Sequence, residues 1–226
     1  MIIEKYGIKL IRLKQEDIEL VRLKRNSLDI NELMHDRVII SFEMQYKWFQ
    51  SINNIYNNYF IIIYNNEKIG LVNGKNSDYE KRQSEGGMFI WEQKYWGTVI
   101  PALCSVIMSD FTFLITGFNK NYIKILRSND NAINYNKQLG YVFTNDFISD
   151  QETQWYVLTK DNYIKKMLKL RNGIRSITGD IDSLALKDIS FRDDDDNVLK
   201  LLYEPLPSYV KDNVNEILKK EQRQVL

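Results

Sequence analysis

Few residues in this chain carry reactive or metal-binding groups, and their spacing removes most of the familiar chemistries. One cysteine, Cys104, and one histidine, His35, occur in 226 residues. A lone thiol allows no internal disulfide, and the pair makes no His/Cys metal cluster. Cys104 sits in an apolar run and reads as a small buried hydrophobe, not a nucleophile. Four consecutive aspartates, Asp193 to Asp196, suggest a divalent cation, but adjacent carboxylates cannot all converge on one ion. A solvated run leading into a helix near Asn197 is expected instead, because acids favour a helix N-terminus. The strongest remaining signal is Asn129-Asp130-Asn131-Ala132-Ile133-Asn134-Tyr135-Asn136-Lys137-Gln138-Leu139-Gly140-Tyr141. It reads as a short helix with Asn129 as N-cap and Gly140 in the left-handed position that ends it, followed by a strand.

The elements that must position such a segment come next. Lys and Arg number 31 against 30 Asp and Glu, a formal net charge of +1, so electrostatics implies neither a nucleic acid nor an anionic membrane partner. The length allows a full core, as one domain or one domain plus a small extension. The longest apolar stretch, residues 99–118, is interrupted by Ser105, Ser109 and Asp110. That predicts a buried helix and not a membrane span. The first residues show no signal-peptide pattern, so a soluble, cytoplasmic protein is expected. Strands are predicted at 8–13, 59–64, 69–73, 86–91, 122–126 and 154–158, with 59–64 and 69–73 forming a hairpin. Helices are predicted at 15–25, at 41–49 with Ser41 as cap, at 100–117 and from Asn129 onward.

The Asn-x-x-Ala-Ile-x-x-x-x-x-Leu-Gly-Tyr pattern from Asn129 resembles a helix of the GCN5-related N-acetyltransferase (GNAT) superfamily, and the element order over residues 6–165 resembles that fold. The resemblance implies an α/β architecture: a mixed, mostly antiparallel central sheet flanked by helices. The front half is most similar to bacterial nucleotide-amino-sugar N-acetyltransferases of flagellin-glycan and surface-polysaccharide pathways. Arg25-Asn26-Ser27, Met34, Ser41-x-Glu43-x-x-x-x-Trp48-Phe49, Tyr59-Phe60-Ile61-Ile62 and Ile69-Gly70 carry that similarity. A catalytic domain over residues 1–168 and a mainly helical extension over 169–226 follow from it.

By the same resemblance, the strand at 86–91 splays from that at 122–126, and the pantetheine arm of acetyl-CoA inserts between them like an added strand. Cofactor contacts then fall on Phe89, Ile90 and Trp91, with backbone N–H groups near Phe89 and Ile90 on the thioester oxygen. Preorganised donors at an incipient oxyanion are worth about 3–4 kcal/mol each. Tyr95-Trp96-Gly97-Thr98-Val99-Ile100-Pro101 falls where the family cradles pyrophosphate on amides at a helix N-terminus. Gly97, Thr98 and Val99 are the contacts implied there, and Asn129 flanks the thioester. The chain departs from the pattern at Val99 and Pro101, where the family has small residues, and at Trp96, where it has a basic or amide residue. It departs again at Asn136, which stands where many members carry a tyrosine acid. Tyr135, one position earlier, should face elsewhere.

Glu85 is the candidate general base and Asn136 a hydrogen-bond donor to the leaving sulfur. Arg25, Asn26 and Trp48 are candidates for the acceptor side, since Arg pairs with phosphate and Trp stacks on a base or sugar. The implied reaction is direct acetyl transfer from acetyl-CoA to an amine on a small molecule, a nucleotide-linked amino sugar first, without a metal. Acetylation of a protein or peptide amine, or a non-catalytic binding domain with a decayed pyrophosphate loop, remain open. In the extension, Val198, Leu199, Leu201 and Leu202, then Val210, Val214, Ile217 and Leu218, form apolar stripes at helical spacing. They are expected to bury on the body of the protein or in a homodimer.

Overall fold

Runs rich in Ile, Val, Tyr and Phe supply the strands of one nine-stranded sheet. The computed structural model describes residues 1–223, the side chain of Leu168 excepted. In chain order the elements are β1 (Ile2–Lys5), β2 (Ile8–Arg12), α1 (Ile18–Asn26), α2 (Leu28–Asn31), α3 (Phe42–Ile52), β3 (Asn58–Tyr64), β4 (Glu67–Asp78) and β5 (Gln83–Ile90). They continue with α4 (Ile100–Asp110), β6 (Lys120–Leu126), α5 (Asp130–Leu139), β7 (Val142–Phe143), β8 (Thr153–Thr159), α6 (Lys160–Thr178), β9 (Ile189–Ser190), α7 (Asp196–Leu202) and α8 (Ser208–Lys220). The strand order is β7-β8-β6-β5-β4-β3-β2-β1-β9. Neighbours are antiparallel except β5 and β6, which run parallel.

Local chemistry sets the helix ends. Ser41 Oγ accepts from the Met44 amide at 3.2 Å, and Asn129 Oδ1 accepts from the Ala132 amide at 3.0 Å. Gly140 ends α5 with φ of +104°, a backbone conformation that side-chain-bearing residues rarely adopt. Both caps match the sequence expectation. α4 runs on through a π-helical turn at Phe111–Ile115, closed by Thr116 N donating to Phe111 O.

Strand alternation divides the core in two. Tyr59, Ile61, Leu71 and Trp91 face α1 and α3, packing with Ile18, Val21 and Phe49. Phe60, Ile62, Val72 and Ile90 face the other way, onto α4, α5, α6 and the C-terminal helices. Cys104 is fully buried there, and burial pushes its thiol up to about 12, which keeps it protonated and unreactive.

The extension is part of this core. α6 runs unbroken across the expected boundary at residue 168. Leu184, Ile189, Phe191, Leu199, Leu202, Val214, Ile217 and Leu218 join the same apolar cluster as the sheet. β9 pairs with β1 and extends the sheet. Fully buried Asp110 anchors the segment by accepting from Tyr163 Oη (2.6 Å), Arg171 Nη2 (2.7 Å) and the Leu184 amide (2.8 Å). The apolar stripes expected either on the body or in a dimer are therefore buried within this chain, apart from half-buried Val198 and exposed Leu201. Residues 224–226 of the expected extension lie outside the described residues. The aspartate run is not uniformly solvated: Asp195 caps α7, whereas buried Asp194 pairs with the Met1 amine and Tyr203 Oη. No helix among the described residues is long and apolar enough to cross a membrane.

Candidate active site

The parallel strands β5 and β6 separate partway along. They pair at Gln83↔Lys120, Ser84↔Asn121 and Glu85↔Tyr122, and beyond that point they no longer pair with each other, though β5 stays paired with β4 and β6 with β8. Register fixes what faces the gap. Trp91 N donates to Ile69 O, and Gly70 lies opposite Ile90, so the odd-numbered residues of β5 direct their amides to β4. Even-numbered residues point the other way, as Arg82 O does in accepting from the Asn119 amide. The N–H groups of Met88 and Ile90 therefore point into the gap. Phe89, expected as a gap-side donor, has its amide turned toward Leu71 on β4. Trp91 lies beyond the strand end, buried on the α1/α3 face, where its Nε1 donates to Lys68 O at 2.8 Å. Both differences follow from a period of two that sets side-chain face and amide direction together.

On the α4 side of the gap, Gly97 has φ of +74° and open space where a Cβ would stand. Among the described residues the amides of Gly97, Val99 and Ala102 have no hydrogen-bond partner, so three donors remain free at this helix start. Pro101 supplies none. The Thr98 hydroxyl, expected to reach outward, donates to Tyr95 O at 2.7 Å and accepts from the Ile100 amide at 3.3 Å. Trp96 reaches back so that its Nε1 donates to Ile90 O at 2.8 Å, occupying a gap-facing carbonyl. Tyr135 spans from α5 to α4, donating to Pro101 O at 2.9 Å with Ser105 Oγ at 2.7 Å. Burial raises its hydroxyl well above the usual phenol range. Asn136 donates its side-chain amide to Ala132 O at 2.8 Å. The donor expected at the sulfur is thus held along its own helix, as short polar side chains often are.

On the α1/α3 side, Tyr59, Asn73 and Gly87 lie in one row across β3, β4 and β5. Glu85 stands one step back in the same face, at the last paired position of the fork. Its Oε1 accepts from Asn76 Nδ2 at 3.0 Å, and its Oε2 lies 3.4 Å from Lys75 Nζ. Trp48 sits edge-on to Tyr59, centroids 5.1 Å apart. Burial first, and then the Glu85 charge, push the Tyr59 hydroxyl up to about 12. Asn73 Oδ1 is buried without a hydrogen-bond partner among the described residues. Tyr59 and Asn73 escaped the sequence reading. Their signal was parity with Leu71 and Phe89, which becomes legible only once the strands are paired.

Arg25 and Asn26, expected to meet the acceptor, hold the chain between α2 and α3. Asn26 donates to Ile40 O at 2.8 Å and accepts from the Ile40 amide at 2.9 Å. Arg25 Nη2 donates to Asp36 O, while its Nη1 is buried without a partner. The same loop reaches the β7–β8 loop, where His35 Nδ1 lies 3.4 Å from Glu152. Asp150 there is held well below the usual carboxylate range, first by its hydrogen bond to Lys124.

A small cleft between the C-terminal helices and the sheet, bounded by Met1, Tyr203, Val210 and Ile217, contains none of these groups. Its polar lining side chains, Asn58, Tyr79, Thr116, Tyr203 and Asn213, are all engaged within the chain, so the fork remains the candidate site. Among the described residues no group of three or more His, Cys, Asp or Glu side chains is placed to hold a metal ion.

Solved structures share this architecture. The chain is similar to the spermidine N-acetyltransferase from Vibrio cholerae in complex with CoA and spermine, at 17% identity and a TM-score of 0.61, over 71% of this chain and 99% of that one. It is similar to a dodecameric form of that enzyme at 17% identity and a TM-score of 0.57, over 72% and 99%. It is also similar to a domain from Methanocaldococcus jannaschii DSM 2661 at 23% identity and a TM-score of 0.57, over 67% and 97%. No protein-family model and no curated protein matches the chain. At such identities the likeness is one of fold: an α/β fold of the acetyltransferase type, with a mixed, mostly antiparallel sheet.

Proposed function

We propose that this protein transfers an acetyl group from acetyl-CoA to an amine at the fork between β5 and β6. The observation that carries the reading is that pairing stops at Glu85↔Tyr122 while the Met88 and Ile90 amides point into the space beyond. Those two donors suit a thioester carbonyl that gains negative charge during attack. The free amides of Gly97, Val99 and Ala102, at the positive end of α4, suit a pyrophosphate. The residues at the helix start therefore fit the cofactor, with the Trp96 indole as the one group that must yield.

In this reading the amine nitrogen forms a bond to the thioester carbon, its proton passes to Glu85 directly or through water, and the carbon–sulfur bond breaks. The coenzyme A thiolate leaves without help from Asn136 and then takes a proton from solvent. Holding both reactants in one complex supplies most of the acceleration.

The acceptor is proposed to be a small-molecule amine. A nucleotide-linked amino sugar is the narrower form of that proposal, but with Arg25 and Asn26 engaged by their own loop, only Trp48 of its expected contacts stays free at the site. A polyamine is an equal candidate, because the V. cholerae neighbour is a spermidine acetyltransferase. A second reading, a non-catalytic binding domain, is favoured by the Trp96 contact with Ile90 O.

Calorimetric titration with acetyl-CoA decides between them, with Gly97→Glu as control. The reading expects binding in the micromolar range, lost in the variant because a carboxylate enters the pyrophosphate position. Absence of binding at millimolar acetyl-CoA would overturn the enzyme reading. Mass-spectrometric detection of acetyl transfer to nucleotide-amino sugars, polyamines and peptide amines then ranks the acceptors.

A further inference from the structure

We infer that Tyr59, Asn73 and Glu85 form the pocket for the acceptor's ammonium group, with Asn73 as the residue that selects it. The inference rests on the acetyl-transfer reading for its purpose, but its geometry stands separately. Asn73 Oδ1 is a buried acceptor with no hydrogen-bond donor among the described residues, and such groups are rare enough in folded proteins to ask for a partner. The Tyr59 hydroxyl, in the same row, also lacks a partner among the described residues. Glu85 completes the corner, on the same face of β5 two residues before Gly87.

The three groups share one chemistry. A side-chain carbonyl, a carboxylate and a phenol oxygen all accept hydrogen bonds, and an ammonium offers three N–H donors and no lone pair. An anion would leave Asn73 Oδ1 as it is. Gly87 makes the arrangement possible, because a Cβ there would stand 3.0 Å from Asn73 Nδ2 and 3.3 Å from its Oδ1. Trp48 and Phe89, packed on the same face, provide an apolar wall for the carbon chain behind the nitrogen. Lys75 competes for Glu85, but at 40% exposure its side chain is free to swing into solvent when a second cation arrives. Proton transfer from the ammonium to Glu85 then leaves the amine neutral, with the lone pair that attack on the thioester requires.

The test is titration of spermidine and of n-butylamine into the full chain, with and without CoA, for the unmodified protein, Asn73→Leu, Asn73→Asp and Tyr59→Phe. Asn73→Leu and Tyr59→Phe should each weaken amine binding about tenfold, the scale of one lost hydrogen bond to a charged partner. Asn73→Asp, nearly isosteric, should tighten binding several-fold. A merely structural asparagine would not give that gain. CoA affinity should stay within about twofold throughout, since none of these residues faces the cofactor side. Unchanged amine binding in both Asn73 variants would overturn the pocket, as would failure of both amines to bind at millimolar concentration. Amine binding that depends on Asn73 without any CoA binding would keep the pocket and remove the acetyl-transfer reading. If Asn73→Leu melts early, the sign of the Asn73→Asp effect decides alone.

Discussion

The two flanks of the fork treat their polar groups in opposite ways. Toward α4, Trp96 Nε1 meets Ile90 O, the Thr98 hydroxyl meets Tyr95 O, Tyr135 bridges to Pro101 and Asn136 folds onto Ala132. Toward α1 and α3, Asn73 Oδ1 and the Tyr59 hydroxyl have no hydrogen-bond partner among the described residues, in the row that ends at Gly87 of β5. A ligand entering the first flank finds free amides at Gly97, Val99 and Ala102 but must displace the Trp96 side chain from Ile90 O. One entering the second meets acceptors already without a partner among the described residues and displaces only Lys75 and Asn76 from Glu85. The difference predicts a cofactor side whose affinity is limited by rearrangement and an acceptor side that is organised in advance.

The largest expected effect removes both flanks together. A Cβ on Gly70 would stand 2.7 Å from Phe89 O and 3.1 Å from Ile90 Cα, both backbone atoms that no rotamer can move aside. Gly70→Ala should cost about 3 kcal/mol in urea unfolding, at the upper end of overpacking penalties, and weaken CoA and amine binding in parallel. Loss on one side only would show that the flanks do not share β5 as their frame. A smaller effect separates them. Trp96→Phe frees Ile90 O and should tighten CoA binding about fivefold, the equivalent of one hydrogen bond of about 1 kcal/mol, with spermidine affinity unchanged. Weaker CoA binding in this variant would make Trp96 a cofactor contact and not an occupant of its place. The smallest is Asn136→Ala. Because that amide is engaged along its own helix, the rate of acetyl transfer should change by less than about twofold, and a tenfold fall would put Asn136 at the sulfur.

How much of this was legible in the sequence varied with the kind of signal. Asn129 and Gly140 declared the ends of α5 because capping chemistry is local, as did Ser41 for α3. The hairpin of β3 and β4 followed from β-branched runs around a polar turn. Strands β7 and β9, two residues each, exist only because a neighbour pairs with them, and no two-residue pattern announces that. At the site the limit was parity. Phe89, Ile90 and Trp91 were grouped as one contact set, yet a strand sends consecutive residues to opposite faces and their amides to opposite neighbours. Which of the three serves the gap depends on which edge of β5 is paired, a tertiary fact. Arg25 and Asn26 are engaged by their own loop for a related reason. Their chemistry suits a phosphate, but a loop folded nearby offers backbone carbonyls first, and the fold places Ile40 and Asp36 within their reach.

The pairing of β9 with β1 sets the timing of folding. Ile2 and Ile3 lie opposite Ser190 and Ile189, so one edge of the sheet waits for a partner almost 190 positions away along the chain. During synthesis the first hairpin emerges with that edge bare, open to pairing with other chains until the last segment arrives. Contacts so distant in sequence slow the final step, because the loop must close before the pairing is rewarded. Asp110, gathering Arg171 and the Leu184 amide, draws the returning segment toward that edge. Late closure of this seam makes the C-terminal segment the part of the protein whose loss most exposes the nascent sheet to aggregation.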